Sequence, residues 1–406
     1  MIASVEIAYY DDNPFIKACG PILSPLEITK RLLYLPPQPK TGAVTPKHII
    51  RDLAEDVRRM HVPMAKGVEI AQTIGVMLRQ GYVHRNPSSP KTWQRIYSEL
   101  GDAAGTSPIQ LGATVTGLGG VGKSTAVERA LGLYPQVVKH ASLPGLVGEH
   151  PQLLWLKVDV PGSGKVRDLV EALALACDDA LSTKFTEAIF AGSRRSGVGA
   201  ARQWLKMIAP YFLGVLVLDE IQNLFKIQTK AVRTRSRSES SQARQELRVV
   251  DDESLKLLLT ITNFSKVPIF LCCTPDGLEV LSTRMSTSQR MVTGGYFELS
   301  NPSSADDEYF RKRFFPVLCR YQWLPVKLLP SDELRELLFD LSGGILRICV
   351  TLWIKAHGRA IDRGGDQLDL DDLRKAAAQD LGPLRDAVQA LHSADPRRLR
   401  RYEDWR

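Results

Sequence analysis

Gly117-Leu118-Gly119-Gly120-Val121-Gly122-Lys123-Ser124-Thr125 is the stretch that decides the fold. It satisfies the pattern G-x-x-x-x-G-K-[ST], in which glycines let backbone N–H groups close around an anion and the following helix adds the positive end of its dipole. Ala113–Thr116 before it reads as a short strand, and Ala126–Leu131 after it reads as the first turns of a helix. The pattern needs that strand–loop–helix setting. Gly117, Gly119, Gly120, Val121, Gly122, Lys123, Ser124 and Thr125 are therefore expected to cradle the phosphates of a nucleoside triphosphate. Lys123 would reach the β- and γ-phosphates, and the Ser124 hydroxyl would ligate Mg²⁺. The competing reading is a glycine-rich turn with a chance lysine.

Outward from the loop, strands and helices alternate. Strands are expected at Leu153–Val160, Gly214–Leu218, Val267–Cys273 and Gly295–Leu299, and helices at Val166–Leu181 and near Glu253–Asn263. This alternation predicts an α/β fold with a mostly parallel sheet, and continuous apolar strands fit a sheet covered on both faces. Upstream, residues 1–45 are irregular and punctuated by proline, as in Asn13-Pro14-Phe15 and Leu35-Pro36-Pro37-Gln38-Pro39. Such a segment drapes over a neighbour or over its own domain. Helical spacing begins with Thr45 as cap and Pro46 as first residue, and continues over Met64–Gln80, which Gly81–Pro87 closes, and over Ser89–Leu100. From Ser304 the pattern is helical throughout, with helices at Asp306–Leu318, from Ser331, at Ile345–Ala360 and at Leu368–Ala378. The expected organisation is an N-terminal arm and helical extension over 1–100, an α/β core over 101–302, a helical lid over 303–380 and a basic tail over 381–406. The tail, Pro396–Arg406 with two aromatics, is either solvated or docks onto DNA or a partner protein.

The totals agree with this. The 406 residues suffice for two or three compact units, and the formal net charge of +8 permits a polyanionic partner such as DNA without demanding one. The six cysteines are scattered without a C-x-x-C pair, and Cys272 and Cys273, inside an apolar strand-like run, read as buried thiols in a reducing cytosol. The start lacks a basic segment followed by an apolar one, and no apolar run approaches the about 20 residues that span a bilayer. The chain is expected to be cytoplasmic and soluble, with no membrane partner.

Asp219-Glu220 directly follows an apolar strand. Asp219 would hold Mg²⁺ through water, and Glu220 would polarise the attacking water as general base; an acidic pair that merely ends a strand is the alternative. An adjacent Asp-Glu pair and the absence of N-K-x-D point to ATP rather than GTP. Thr274 at the end of the later strand either reaches the γ-phosphate or the lytic water, if its strand lies between the other two, or caps a turn. Arg284 and Arg290 precede the last strand. One of them, with Arg290 preferred, could serve as an arginine finger on a neighbouring subunit's nucleotide; otherwise both face solvent. Ser342-Gly343-Gly344-Ile345-Leu346-Arg347 opens a helix that would fold Arg347 over the phosphates, unless Arg347 only forms a surface salt bridge.

These features together resemble an AAA+ ATPase with a C-terminal helical lid. More closely, the chain resembles the TnsC/TniB family of transposition regulators. The resemblance rests on Asn13-Pro14-Phe15, Gly81-Tyr82-Val83-His84-Arg85-Asn86-Pro87, the phosphate loop, Tyr134-Pro135-Gln136-Val137, Trp155-Leu156-Lys157-Val158-Asp159, Leu218-Asp219-Glu220-Ile221-Gln222 and Gly343-Gly344-Ile345-Leu346-Arg347. It implies an ATP-dependent, Mg²⁺-using switch that oligomerises as a ring or filament on double-stranded DNA and links a target-selecting protein to the transposase. Where the family commonly shows Gly-Thr-Pro, this chain has Cys273-Thr274-Pro275, which leaves the threonine in place.

A ring around a duplex must supply Lys or Arg to phosphates. Lys165 and Arg167 follow the Pro161-Gly162-Ser163-Gly164 turn, Lys184, Arg194 and Arg195 lie in the next connection, and Lys226 and Lys230 open a third basic segment. Either these loops are simply solvated, or they contact the DNA backbone without reading sequence. Two other function classes share the phosphate loop. A signal-transduction NTPase of the STAND type has a similar Gly-Gly before its lid but usually carries a long repeat array. A helicase loader binds DNA in the service of replication.

Overall fold

The computed structural model describes residues 8–39, 45–97, 111–191, 196–224, 261, 266–275, 277–278 and 285–393. The expected helix near 253–263 lies almost wholly outside them. The chain divides into two compact units. The first comprises Met1–Pro25, Glu69–Thr116 and Ser124–Glu298, the second Leu26–Val68, Gly117–Lys123 and Leu299–Arg406. The first hundred residues are thus shared between the two.

In the first unit the apolar segments become strands β1 (Gly112–Thr116), β2 (Val137–His140), β3 (His150–Leu153), β4 (Trp155–Asp159), β5 (Val215–Asp219), β6 (Ile269–Cys273) and β7 (Gly295–Glu298). Five form a parallel sheet in the order β4-β5-β6-β1-β7, and β2 and β3 form a separate antiparallel pair. Every residue of β1, β5 and β6 is buried, as a parallel sheet covered on both faces requires. The expected strand Leu153–Val160 is broken in two. Leu153 pairs with Val137 in the hairpin, while Trp155 starts the sheet's edge strand against Val215. The hairpin gave no alternating signal, because Pro151 and two histidines interrupt it.

The helices of this unit are α1 (Ala65–Val83), α2 (Pro90–Tyr97), α3 (Lys123–Leu131), α4 (Val166–Leu181), α5 (Phe185–Phe190), α6 (Gly197–Ile208) and α7 (Met285–Val292). Helix α1 runs through Gly81 to Val83 instead of stopping at Gln80. At Gly81 a Cβ would lie 2.9 Å from the Pro268 ring, so the glycine serves close packing and does not end the helix. Helices α4 and α6 press Leu169, Val170, Leu173, Cys177, Trp204, Leu205 and Ile208 onto Leu156, Val158, Leu216, Leu218, Ile269 and Leu271 of the sheet. Asp178 joins α4 to α5 by accepting from the backbone N–H groups of Phe185 and Thr186 and from the Thr183 hydroxyl.

The N-terminal segment is less irregular than its prolines suggested. It contains single turns at Ala8–Asp11 and Pro14–Lys17 and a helix at Pro25–Leu32. Its part up to Pro25 docks on the first unit, whereas Leu26–Leu32 belong to the second. Asn13, 1% exposed, caps Phe15 through its side chain and donates 2.8 Å to the Tyr82 carbonyl. The fully buried Phe15 ring lies 4.2 Å from that of Phe212 and 5.7 Å from that of Tyr82.

The second unit is helical. Residues 26–68 belong to it because Ile50, Ala54 and Val57 share one core with Phe310, Phe314, Leu334, Leu338, Leu352 and Trp353. The first long helix here starts at Lys47 with Pro46 as its cap and no side-chain cap, so Thr45 does not play the capping role expected of it. The segment expected as one helix over 306–318 contains a π-helical turn, Phe310–Phe314, followed by Phe315–Leu318. Pro316 has no N–H to give the carbonyl four residues back, and the wider turn absorbs that loss. Helices α8 (Asp332–Ser342), α9 (Leu346–Asp362), α10 (Leu370–Lys375) and α11 (Arg385–Ser393) follow. Ser331 caps α8, and Gly343 ends it with φ 62°. All six cysteines are buried. Among the described residues no single helix is long and apolar enough to cross a membrane.

Candidate functional site

The phosphate loop has the backbone its glycines predict. Gly117, Gly120 and Gly122 adopt φ of 156°, 84° and 94°, conformations open chiefly to glycine. A Cβ on Gly117 would collide with the Leu299 carbonyl, and one on Gly120 would lie 3.6 Å from Ile345 Cγ2. Leu299 and Ile345 of the second unit therefore line the loop. Lys123 Nζ donates to the carbonyls of Gly117 (2.7 Å) and Leu118 (3.0 Å), which keeps the ammonium inside the loop. Val121 is buried, Gly119, Ser124 and Lys123 are half-buried, and Thr125 is exposed.

In a parallel sheet all carboxyl ends fall on one edge. Thr116, from which the loop departs, pairs with Cys273; β6 lies between β1 and β5; and Asp219 pairs with Asp159. Asp219 and Thr274 consequently share the edge that the loop leaves, with Thr274 on the central strand, as its expected role requires. Both are buried, at 2% and 6% exposed. Asp219 Oδ1 accepts from the Glu220 N–H at 2.9 Å. Glu220 is exposed and adopts φ 55°, a left-handed conformation that a glutamate holds at a cost of about 1–3 kcal/mol, so the chain turns sharply just where the carboxylate is presented. Its Oε2 accepts from Gln222 Nε2, and Gln222 Oε1 accepts from the Thr274 N–H at 3.4 Å.

Lys157 was not singled out from the sequence as a site residue. Its ammonium meets Asp159 (2.7 Å), Glu128 of α3 (3.0 Å) and Asp219 (3.4 Å). Burial opposes its charge, but the hydrogen bonds to Asp159 and Glu128 and the Asp219 carboxylate outweigh that and raise it above the ordinary lysine range. The alternation Trp155, Lys157, Asp159 along an edge strand was the available signal, since period two puts all three on one side. Gln222 carried no such signal.

The donor set fits Mg²⁺. Ser124 offers a hydroxyl, Asp219 offers a carboxylate, and a hard cation with oxygen ligands needs few protein donors when phosphates supply others. Among the described residues no three His, Cys, Asp or Glu side chains gather into a metal cage.

The two arginines have different settings. Arg290 is exposed on α7, and its carbonyl lies against Gly112 at the start of β1. Thr114 donates to the Met291 carbonyl and Gly294 N–H to that of Gly112, which fixes α7 at this edge. Four residues of β1, about 13 Å, separate that edge from Thr116. Arg290 thus stands at the edge away from Asp219 and Thr274. Arg347 is exposed in the first turn of α9, two residues after the Ile345 that lines the loop. The Gly343-Gly344 turn is obligatory, because a Cβ on Gly344 would lie 2.8 Å from Phe339 and from the Pro302 carbonyl.

Among the basic residues, Lys165 is exposed at the N-cap of α4. Arg167 is half-buried, its guanidinium 5.0 Å from the Phe190 ring centre. Lys184 is exposed at the N-cap of α5, 3.6 Å from Glu187. Arg194, Arg195, Lys226, Lys230 and Arg284 lie outside the described residues.

Four of the motifs behind the family resemblance, Asn13–Phe15, Gly81–Pro87, Tyr134–Val137 and Trp155–Asp159, meet in space. Asn13 and Phe15 contact Tyr82. Trp155 Nε1 donates to the Tyr134 carbonyl (3.1 Å), and the Leu154 N–H to that of Gln136 (2.8 Å). Tyr82 donates to the Phe212 carbonyl (2.8 Å) and Arg85 to that of Leu213 (2.6 Å), just before β5. Segments up to 130 residues apart in sequence thus form one connected array.

Residues 110–281 match the AAA domain family, which marks a nucleotide-hydrolysing module of that type. No curated protein matches the chain. Among solved structures, the Aeropyrum pernix ORC1 protein in complex with DNA is 16% identical, with 83% of this chain and 71% of that one covered and a TM-score of 0.44. Drosophila ORC bound to DNA is 12% identical over 88% of this chain and 74% of that one, with a TM-score of 0.43. The Thermotoga maritima RuvB variant T158V is 13% identical over 76% and 67%, with a TM-score of 0.35. The family match, the phosphate loop and the strand order β4-β5-β6-β1-β7 identify an AAA+ phosphate-loop fold with a parallel five-stranded sheet.

Proposed function

We propose that this protein is an ATP-hydrolysing switch that assembles on double-stranded DNA and regulates transposition. The observation that carries the ATPase reading is the common sheet edge: the phosphate loop leaves β1 where Asp219 and Thr274 end their strands. Gly117–Thr125 hold the phosphates, with Lys123 as the neutralising cation. Ser124 and Asp219 hold Mg²⁺, which when bound neutralises charge on the β- and γ-phosphates. Glu220 takes the proton of the attacking water, and Thr274 orients that water or the γ-phosphate. Arg347 enters from the lid helix, whose start lines the loop. Arg290, on the other sheet edge, serves the nucleotide of a neighbouring copy. The switch therefore works as an oligomer, ring or filament.

The finer assignment, a regulator of the TnsC/TniB type in the cytoplasm that couples a target selector to a transposase, is supported by the contact of Asn13–Phe15 with Tyr82 and of Trp155 with Tyr134. Those contacts join four of the motifs on which the resemblance rests. Lys165, Arg167 and Lys184, with Arg194, Arg195, Lys226 and Lys230, supply sequence-independent contacts to DNA phosphates.

Electron microscopy with a DNA duplex, with and without a slowly hydrolysed ATP analogue, tests the reading. Nucleotide-dependent rings or filaments on DNA are expected, and their absence would refute assembly on DNA. Lys123→Ala should abolish ATP binding, whereas Glu220→Gln should trap an ATP-bound, DNA-bound state. Loss of nucleotide affinity in Glu220→Gln would count against the general-base role.

A further inference from the structure

We infer that Gln222 is a positioning residue that holds the Glu220 carboxylate and ties its orientation to Thr274. This rests on the proposed role of Glu220 as general base. Three observations carry it. Gln222 is 4% exposed, so its amide is held inside the protein. The amide spans two strand ends: Nε2 donates to Glu220 Oε2, and Oε1 accepts from the Thr274 N–H at 3.4 Å. Finally, Gly277 makes room for it, because a Cβ there would lie 2.8 Å from Gln222 Cβ.

The orientation of the amide follows from its partners. A backbone N–H can only donate and an ionised carboxylate can only accept, so the oxygen must face Thr274 and the nitrogen Glu220. Reversing the amide would set oxygen against carboxylate and nitrogen against N–H, losing both bonds. The clamp occupies one carboxylate oxygen and leaves the other to take a proton from water. It also counters the freedom of an exposed glutamate side chain on a left-handed backbone. A displacement of the β6 end, where Thr274 would meet the γ-phosphate, moves the Gln222 oxygen and through the same rigid amide moves Glu220. Hydrolysis is thereby coupled to what lies at Thr274, and nucleotide binding is not.

The test uses the full chain with a DNA duplex. Steady-state ATP hydrolysis, equilibrium binding of a fluorescent ATP analogue and melting temperature are measured for Gln222→Met, Glu220→Gln and the double variant. Gln222→Met keeps the length and removes both hydrogen bonds. Its kcat should fall about ten-fold or more, as for other residues that orient a reacting group. Its KM and analogue affinity should stay within about two-fold of the parent, the split expected when only the reacting state is disturbed. On the Glu220→Gln background the methionine should cause no further loss, because Gln222 acts only through Glu220. If Gln222→Met fails to fold, Gln222→Asn, which keeps the amide but cannot span the gap, should show the same split. A wild-type kcat in Gln222→Met, a further loss on the Glu220→Gln background, or affinity and melting temperature falling together with kcat would each overturn the inference. Should Glu220→Gln itself hydrolyse ATP at the parent rate, the general-base reading falls and the inference with it. An inactive Glu220→Gln beside a fully active Gln222→Met overturns the inference alone.

Discussion

His357 makes helix α9 sensitive to acid, and the size of the effect can be worked out. It lies on α9, the helix that carries Arg347 in its first turn, and is 1% exposed. Its Nδ1 bonds the Trp353 carbonyl at 2.8 Å, its Nε2 has no hydrogen-bond partner among the described residues, and its ring lies 5.8 Å from that of Trp323 and 5.6 Å from that of Trp353. Burial lowers its pKa from 6.5 to about 4; the Trp353 carbonyl and Asp372 oppose this, and Lys327 adds to it. The folded value is depressed, so the unfolded chain takes up the proton first. Stability is then full above pH 6.5 and drains as pH falls toward 4. With those two values the linkage relation gives a loss of about 0.8 kcal/mol at pH 6 and about 2 kcal/mol at pH 5. Urea unfolding between pH 7.5 and 5, followed by tryptophan fluorescence, measures it, since Trp323 and Trp353 flank the ring. His357→Leu cannot take up that proton, so the wild type should lose about 2 kcal/mol more than the variant over this range. Equal pH slopes for the two proteins would refute the reasoning.

Three further outcomes follow from the packing. Asp178→Ala should cost about 1–2 kcal/mol in urea unfolding at pH 7 by removing the cap of α5. Partial burial works against the Asp178 charge, but the N–H groups of Thr186 and Phe185 and the hydroxyls of Thr186 and Thr183 outweigh it and lower its pKa. The wild-type advantage should therefore be complete above the ordinary aspartate value and vanish as pH falls through the lowered one. Lys157→Met should destabilise by about 2–3 kcal/mol by leaving Asp219 buried without its cation, below the usual range for buried pairs because Glu128 and Asp159 are exposed. Lys157→Arg should recover most of this, and a loss in Lys157→Met equal to that in Lys157→Arg would contradict the ion-pair account. Phe15→Ala should cost about 3–5 kcal/mol and open the N-terminal segment to limited proteolysis, since its ring fills a site walled by Phe212, Tyr82 and His140.

Where the sequence pattern was strong, the elements matched. Val166–Leu181 was expected as a helix and is one, and the apolar runs before Asp219 and Thr274 became buried central strands. The phosphate loop was legible because its chemistry needs glycine at fixed offsets. What escaped depended on partners distant in sequence. The β2–β3 hairpin carries Pro151, His140 and His150 and is held by contacts such as that of His150 with the Pro210 carbonyl (2.6 Å), which no local period announces. Helix α5 escaped notice because it has only 6 residues, and α6 because Gly197 and Gly199 open it. Thr45 matched a cap pattern, yet the helix begins one residue beyond Pro46 without it. At the site, the acids were visible as a pair, whereas the roles of Lys157 and Gln222 exist only through the register of three adjacent strand ends. That Thr274 lies on the central strand was a condition the sequence could state but not decide.

The burial of every cysteine makes the chain a convenient object for chemical labelling. Burial pushes the thiols up to about 11 at Cys19 and about 12 at Cys177, Cys319 and Cys349, so few thiolates form at neutral pH and none faces solvent. A cysteine introduced at the exposed Lys165 would be the one surface thiol. It could carry a fluorophore or a DNA cross-linker without removal of a single native residue from the core. Proximity of that loop to a duplex could then be followed in solution while nucleotide is added, in a protein whose own sulfur atoms stay silent.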